Sequence, residues 1–382
     1  MKTKFSTIAI GCCSLLVSHI GLASEQEQTK NDSLIHMVMF TPKGQAAPQK
    51  TDQRLNEVAD ISEKFFNHWM QYWGYPVAQP FKLNRNPNGD VKINYVEGRY
   101  THASKKYENY GFYKKSVIAQ TSTQYGLPKD HQFWWAFYYP KKIKKGAYVG
   151  GGDFQGGFSR AGFKDVKGDI DVNGSLAAKG TADAFLLKAV VHEMGHALGL
   201  PHNGPHQKDG LGNSLMGPVN KVYKRKTKGD ERVYLSKASA AMLWKHPVFT
   251  GTDTDIDKKI NFSLNDYQAH FDKSNNQIIV NGQLKTDYPA HSVVIADTPN
   301  SLKSAYWQKM YVCDIKDGGK FTCVINEPEQ SSGKLQMVFC FENGAVMGIP
   351  KSERTRSKER LVWNKALRKK YSFKKGEYQF EQ

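Results

Sequence analysis

Three histidines and one glutamate lie together in a short segment with the pattern H-E-x-x-H-x-x-G-x-x-H. Two histidines four residues apart on a helix project from the same face, so His192 and His196 can contact one ion. Glu193 lies beside them and can serve a metal-bound water. We expect Gly199 to end the helix, because glycine adopts left-handed backbone angles at little cost, and His202 to return to the ion. The spacing therefore predicts a zinc site with one ion.

The same residues predict a hydrolytic reaction. Three nitrogen ligands leave one coordination position open, as in catalytic zinc sites. Zinc lowers the pKa of bound water to roughly 7, and Glu193 is the candidate general base toward that water and general acid toward the leaving amine. His206 is an alternative third ligand, but the spacing favours His202.

A methionine turn follows the zinc motif, in the segment Ser214-Leu215-Met216-Gly217-Pro218. The two motifs together resemble the metzincin clan of zinc peptidases. This resemblance implies a two-lobed catalytic domain with a cleft across it and Met216 as an apolar floor under the zinc. It also implies the three histidine ligands and the catalytic Glu193 named above.

Two positions depart from the better-known families of this clan. Asn203 follows the third histidine where those families carry other residues. Pro218 is similar to the matrixin turn and stands where astacins and serralysins carry a metal-side tyrosine, so no such tyrosine is expected there. The segment from the first strand to Pro247 is also similar to uncharacterised exported bacterial metzincin-like proteins, a likeness that implies no substrate.

The elements around the motif predict an α/β (α+β) catalytic domain over residues 24–250. An apolar stripe with helical spacing covers residues 51–73. The other expected elements are strands at 34–40, 90–95 and 133–139, a glycine-rich stretch at 150–162, the motif helix at 182–198 and a last helix at 237–246. The candidate substrate-binding residues are Gly151, Gly152 and Pro218.

After residue 250 the pattern changes to short strands separated by turns. We expect a polar linker at 251–255 and an all-β, sandwich-like accessory domain at 256–382. Cys313 and Cys323 flank Asp317-Gly318-Gly319, which favours a hairpin with the two cysteines facing each other. A disulfide and two packed thiols are both compatible with this pattern, and Cys340 would be left over.

Residues 1–23 are typical of a signal peptide. Lys2 and Lys4 precede a mostly apolar stretch, and Gly21-Leu22-Ala23 fits a cleavage site. The chain is therefore expected to be secreted, extracellular or periplasmic, with no membrane span. Lipoprotein anchoring at Cys12 is the less favoured alternative. Because no cysteine lies between residues 24 and 312, we expect no cysteine switch, and the short distance to the first strand predicts no long prodomain.

The chain of 382 residues carries a net charge of +18. Two basic runs, 141–145 and 221–228, are expected near the rims of the cleft and favour acidic substrates, although solvated loops explain them equally well. Asp169, Asp171 and Asn173 resemble the start of a calcium loop, but position twelve is Gly180, so a solvated turn is favoured. No G-x-S-x-G motif supports a serine hydrolase.

Together these patterns predict an exported zinc endopeptidase. Its expected partner is a protein or peptide substrate, acidic or glycosylated, and no nucleic acid is expected. One alternative is an adhesion or glycan-binding protein whose zinc site is structural, although a structural site does not need Glu193. Another is a zinc amidase acting on cell-wall peptides, which keeps the chemistry and changes the substrate.

Overall fold

A computed structural model describes residues 34–77, 81–140, 148–163, 168–176, 186–348 and 367–381. The predicted signal peptide, the basic run 141–145 and the start of the expected motif helix lie outside the described residues. No helix in the described ranges is long and apolar enough to cross a membrane.

A five-stranded sheet organises the first part of the chain, in the order β2-β1-β3-β5-β4. The four strands other than β4 are parallel, and β4 is an antiparallel edge strand. Because helices cover both faces of a parallel sheet, its central strands are mostly apolar, and every residue of β1 and β3 is buried, including the polar His36 and Thr41. The strands are β1 (Ile35–Thr41), β2 (Ile93–Glu97), β3 (Phe133–Tyr138), β4 (Val149–Asp153) and β5 (Gly156–Gly162).

Six α-helices accompany this sheet in the described residues: α1 (Thr51–Tyr72), α2 (Tyr110–Tyr125), α3 (Leu187–Ala197), α4 (Asn220–Lys226), α5 (Lys237–Leu243) and α6 (Pro247–Thr250). Short strands β6 (Asn213–Ser214) and β7 (Val233–Tyr234) pair in parallel. The expected helix at 237–246 ends at Leu243, and Pro247 begins a separate turn of helix. The expected strand at 90–95 begins only at Ile93.

The second part of the chain is an antiparallel β-sandwich. One sheet has the order β11-β10-β13-β15-β16 with β14 on β13, and the other has the order β12-β9-β8. The strands are β8 (Phe262–Asp272), β9 (Gln277–Thr286), β10 (Ala290–Pro299), β11 (Lys309–Asp314), β12 (Lys320–Ile325), β13 (Gly333–Phe341), β14 (Val346–Met347), β15 (Arg368–Lys374) and β16 (Glu377–Phe380).

The larger sheet of the sandwich is buried on both faces. Along β10, Val293 and Ile295 face the core between the two sheets, whereas Val294 and Ala296 join the core of the first part of the chain. This alternation is the period of two expected of a strand. The fold class is therefore confirmed, as a mixed α/β part followed by a β-sandwich, while the exact domain bounds stay a prediction.

The expected hairpin between the two cysteines is wrong. Cys313 lies on β11, which pairs with β10, and Cys323 lies on β12, which pairs with β9. Gly318 and Gly319 have φ values of 74° and 78°, and this left-handed turn carries the chain from one sheet to the other. A disulfide joins the two cysteines across the sandwich, and Cys340 is free and buried.

Candidate active site

Helix α3 carries the histidine motif and lies directly against β4 and β5. Glycines make this close approach possible because they lack a side chain: a Cβ atom at Gly150 would collide with the carbonyl oxygen of Glu193. A Cβ atom at Gly152 or Gly157 would collide with the carbonyl oxygen of Ala197. The glycine-rich stretch therefore lets the helix backbone contact the strands. At Gly151, by contrast, a Cβ atom would meet nothing within 4 Å.

The three predicted histidine ligands converge. One ring nitrogen from each of His192, His196 and His202 lies within 4.8 Å of the others. The Nε2 atoms of His196 and His202 are 3.0 Å apart. No other group of three or more metal-binding side chains occurs in the part of the chain that the structure describes.

Backbone carbonyls orient two of these rings. The Nδ1 atom of His192 lies 2.8 Å from the carbonyl oxygen of Leu215, and that of His196 lies 2.7 Å from the carbonyl oxygen of Leu200. A carbonyl oxygen only accepts, so each Nδ1 carries the hydrogen and each Nε2 is the unprotonated nitrogen that can bind a metal ion. Burial, followed by the charge of His196, lowers the pKa of His192 well below 6.5 and keeps it neutral. This donor set fits zinc.

The backbone turns sharply between the second and third histidines. Gly199 has a φ of 88°, in the left-handed region. The amide of Leu200 donates to the carbonyl oxygen of Gly195 over 3.0 Å, which closes the helix. This is the turn that brings His202 back toward His196.

The methionine turn packs under the motif helix. Met216 is fully buried, and its Sδ atom lies 2.7 Å from the position of a Cβ atom at Gly195. Asn203 ties this turn to the third histidine, because its amide donates to the carbonyl oxygen of Met216 over 3.3 Å. Its side chain also donates to Ser239 Oγ over 2.9 Å. Asn203, the departure noted in the sequence, therefore has a buried structural role.

Tyr306, which the sequence did not single out, lies over the histidines. Its ring centroid is 3.8 Å from that of His202 and 6.0 Å from that of His192. Burial, followed by the charge of Glu193, raises the pKa of its hydroxyl, so the phenol is protonated at neutral pH. The residue belongs to the connection between β10 and β11 of the sandwich, about a hundred residues beyond the motif, and no local pattern links it to the site.

This connection is anchored on the first part of the chain. Gly204 donates its amide to the carbonyl oxygen of Gln308, and its position has no room for a side chain against the Trp307 backbone. Lys226 Nζ lies 4.1 Å from the centroid of the Trp307 ring. His206, the alternative ligand, has its Nε2 atom 2.9 Å from the carbonyl oxygen of Met310. The sandwich therefore supplies part of the wall around the histidines.

A cavity of about 670 Å³ opens beside His192 and Glu193. Helix α3, the segment after the methionine turn and Tyr306 contribute to its lining. Lys188 lies one turn before His192 and is only 4 % exposed. Its Nζ atom donates to the carbonyl oxygen of Pro218 over 2.7 Å, and burial lowers its pKa to about 7.

Two other sets of candidate residues were named from the sequence: the start of a calcium loop and the substrate-binding residues. Asp171 Oδ1 accepts from the amide of Asn173, and Asp169 Oδ1 accepts from Gln53, so both carboxylates make ordinary turn and surface contacts. Gly151 lies on the edge strand next to α3 and Pro218 lies between Gly217 and Val219, which line the cavity, whereas Gly152 faces Ala197. Their role in substrate binding stays a prediction.

No protein-family model matches the chain, and no curated protein matches its sequence. Solved structures do match its fold. Catalytically inactive OgpA from Akkermansia muciniphila, in complex with an O-glycopeptide (glycodrosocin) substrate, is 22% identical with a TM-score of 0.66. That match covers 83% of this chain and 92% of that chain. Wild-type OgpA from the same organism is 22% identical with a TM-score of 0.67, covering 87% and 95%. The chain therefore shares the fold of OgpA across both of its parts.

Proposed function

We propose that this chain is a zinc-dependent endopeptidase. The observation that carries the proposal is the convergence of three histidine nitrogens within 4.8 Å, two of them on α3 and the third beyond the turn at Gly199. Glu193 of the same helix lines the adjacent cavity of about 670 Å³. Two of these nitrogens have their protonation set by backbone carbonyls, which is the arrangement of a prepared metal site. A bound zinc ion would supply a Lewis acid that polarises a carbonyl group and acidifies water.

The chain's own residues divide the remaining work. Glu193 accepts a proton from the attacking water and passes it to the leaving amine. The Tyr306 hydroxyl donates a hydrogen bond to the scissile carbonyl oxygen as that oxygen gains negative charge. The edge strand β4 offers an extended peptide a backbone to pair with, close to the histidines.

An O-glycopeptide is the substrate class that we propose to test first. OgpA, which has the same fold, has been solved with an O-glycopeptide substrate. A surface cavity of about 670 Å³ has room for an amino-acid side chain or a substituent on it. Export of the chain, expected from residues 1–23, would bring it to secreted glycoproteins.

Metal removal and replacement test the proposal. We expect the purified protein to hold one zinc ion per chain, to lose hydrolysis of a peptide and glycopeptide mixture after dialysis against a chelator, and to regain it with zinc. His196→Ala should hold little zinc and stay inactive. Asn88→Ala, in an exposed turn far along the chain from the motif, is the matched control and should behave like the parent. Full hydrolysis by the metal-free protein would exclude the proposed function.

A further inference from the structure

The cavity beside the histidines has a cationic lining. Lys188 and Lys224 contribute to its walls and Lys221 lies exposed among its lining residues, whereas Glu193 is its one acidic lining residue among the residues that the structure describes. Three lysines therefore line the described part of this cavity against one carboxylate. Lys224 already pairs with Glu231 over 2.8 Å. The charges that remain for a ligand are those of Lys188 and Lys221.

Of these two lysines, Lys188 gives the stronger evidence for a bound anion. It is 4 % exposed, and a buried lysine is costly unless its ammonium group is paired. Its one hydrogen-bond partner in the described ranges is the carbonyl oxygen of Pro218, at 2.7 Å, although an ammonium group has three donors. Within the described residues, two donors are therefore available to an acceptor that enters the cavity.

The surroundings of Lys188 favour an anion in two further ways. Lys188 lies in the first turn of α3, where the helix dipole is positive, and Leu186 at the N-cap position has no side-chain acceptor to offer. The cavity lining also includes two exposed apolar side chains, Leu186 and Val219, which are 43 % and 58 % exposed and can contact the aliphatic part of a ligand.

We propose that this cavity binds a carboxylate carried by the substrate residue on one side of the scissile bond, with Lys188 and Lys221 as the recognising residues. This inference rests on the proposed peptidase function and adds a substrate class to it. The carboxylate could come from an Asp or Glu side chain or from an acidic sugar on a glycosylated residue. Both present the same acceptor to the two ammonium groups.

The experiment compares matched substrates. Two peptides differ only by Glu or Gln at a position that flanks the scissile bond, with each flanking position tried in turn. Two O-glycopeptides differ only by a neutral or a sialylated glycan on a flanking threonine. We expect the wild type to prefer the acidic member of at least one pair by roughly 10- to 100-fold in kcat/KM, as a charge-assisted hydrogen bond implies. The pair that shows the preference identifies the source of the carboxylate.

Variants then assign the preference to the lysines. Lys221→Met lies at the exposed rim and should reduce the preference severalfold without loss of fold. Lys188→Met should abolish it. If Lys188 only holds the Pro218 segment in position, this variant will instead slow both members of a pair equally. Lys228→Met, in the same basic run but outside the cavity lining, is the matched control and should keep the preference.

The outcomes separate this inference from the proposed function. If the wild type cleaves none of the four substrates and no member of a wider peptide library, the proposed function fails, and this inference fails with it. If it cleaves both members of every pair at equal rates, the peptidase function stands and the carboxylate site is wrong. A preference for the acidic member that survives both Lys188→Met and Lys221→Met also overturns it.

Discussion

Replacing Tyr306 with phenylalanine removes one hydroxyl group from the candidate active site. The phenylalanine ring can keep the contact with His202, where the centroids are 3.8 Å apart. The hydroxyl makes no hydrogen bond within the described part of the chain, so we expect the free energy of unfolding to change by less than about 0.5 kcal/mol. Its proposed partner is present only during reaction, as the carbonyl oxygen gains charge.

The expected kinetic effect is much larger than the effect on stability. Loss of one donor to a developing oxyanion typically costs about 100- to 1,000-fold in kcat. We therefore expect Tyr306→Phe to lower kcat by that factor with a nearly unchanged KM and unchanged zinc content. The assay is steady-state hydrolysis of one cleaved peptide, followed by mass spectrometry, beside denaturant unfolding of the same samples.

Tyr72→Phe is the matched control, because Tyr72 is 54 % exposed on α1. It should match the parent in both measurements. A kcat within threefold of the parent for Tyr306→Phe would refute the proposed role of this hydroxyl. A large loss of stability would show instead that the residue acts through packing.

Three further predictions concern the scaffold. Gly150→Ala should destabilise the protein by about 1–3 kcal/mol in urea unfolding, because its Cβ atom collides with the α3 backbone, whereas Gly151→Ala should be neutral. Burial raises the pKa of Asp297 to about 6, so the folded state holds a proton that the unfolded state releases near pH 4. Between pH 4 and pH 7 the free energy of unfolding of the wild type should therefore fall by up to about 3 kcal/mol, a loss that Asp297→Asn should not show. The same pH dependence in both proteins would contradict this prediction. Replacing Cys313 and Cys323 together with serine should cost roughly 2–3 kcal/mol, and a reducing agent should lower the Tm of the parent alone.

The local parts of the site were predictable from the sequence because each depends on chain neighbours. The spacing of His192 and His196 sets their common helix face, and Gly199 supplies the turn that only glycine adopts easily. The apolar stripe of α1 was equally clear. Helix α2 escaped prediction because its buried side includes Thr121 and Ser122, so its apolar stripe is interrupted.

Features that depend on distant pairing were not predictable. Tyr306 reaches the histidines only because the sandwich packs against the first part of the chain, and no spacing in the sequence encodes that contact. The turn at Gly318 and Gly319 was mistaken for a hairpin, since two left-handed glycines fit either a tight turn or a crossing between sheets. Substrate binding was predicted for Gly151 and Gly152 and stays a prediction, but the close approach of α3 gives Gly152 a structural role that the sequence did not indicate.

The proposed site also gives the basic composition a specific meaning. The net charge of +18 and the basic runs 141–145 and 221–228 favoured acidic substrates, and Lys221 of the second run lines the cavity. Lys188, which lies outside the two basic runs, is the buried lysine next to the histidines, and a bound carboxylate would favour its charged form. One lysine in a cavity can set substrate preference more sharply than many solvated lysines, because solvent screens charges on the surface.

Cleavage-site mapping with the parent and Glu193→Ala side by side is the most direct measurement of the central claim. Both proteins are incubated with a library of peptides and O-glycopeptides, new termini are identified by mass spectrometry, and bound zinc is measured in the same samples. We predict defined new termini with the parent, none above background with Glu193→Ala, and one zinc ion per chain in both. Equal cleavage by the two proteins, or the absence of zinc from an active parent, would contradict the account.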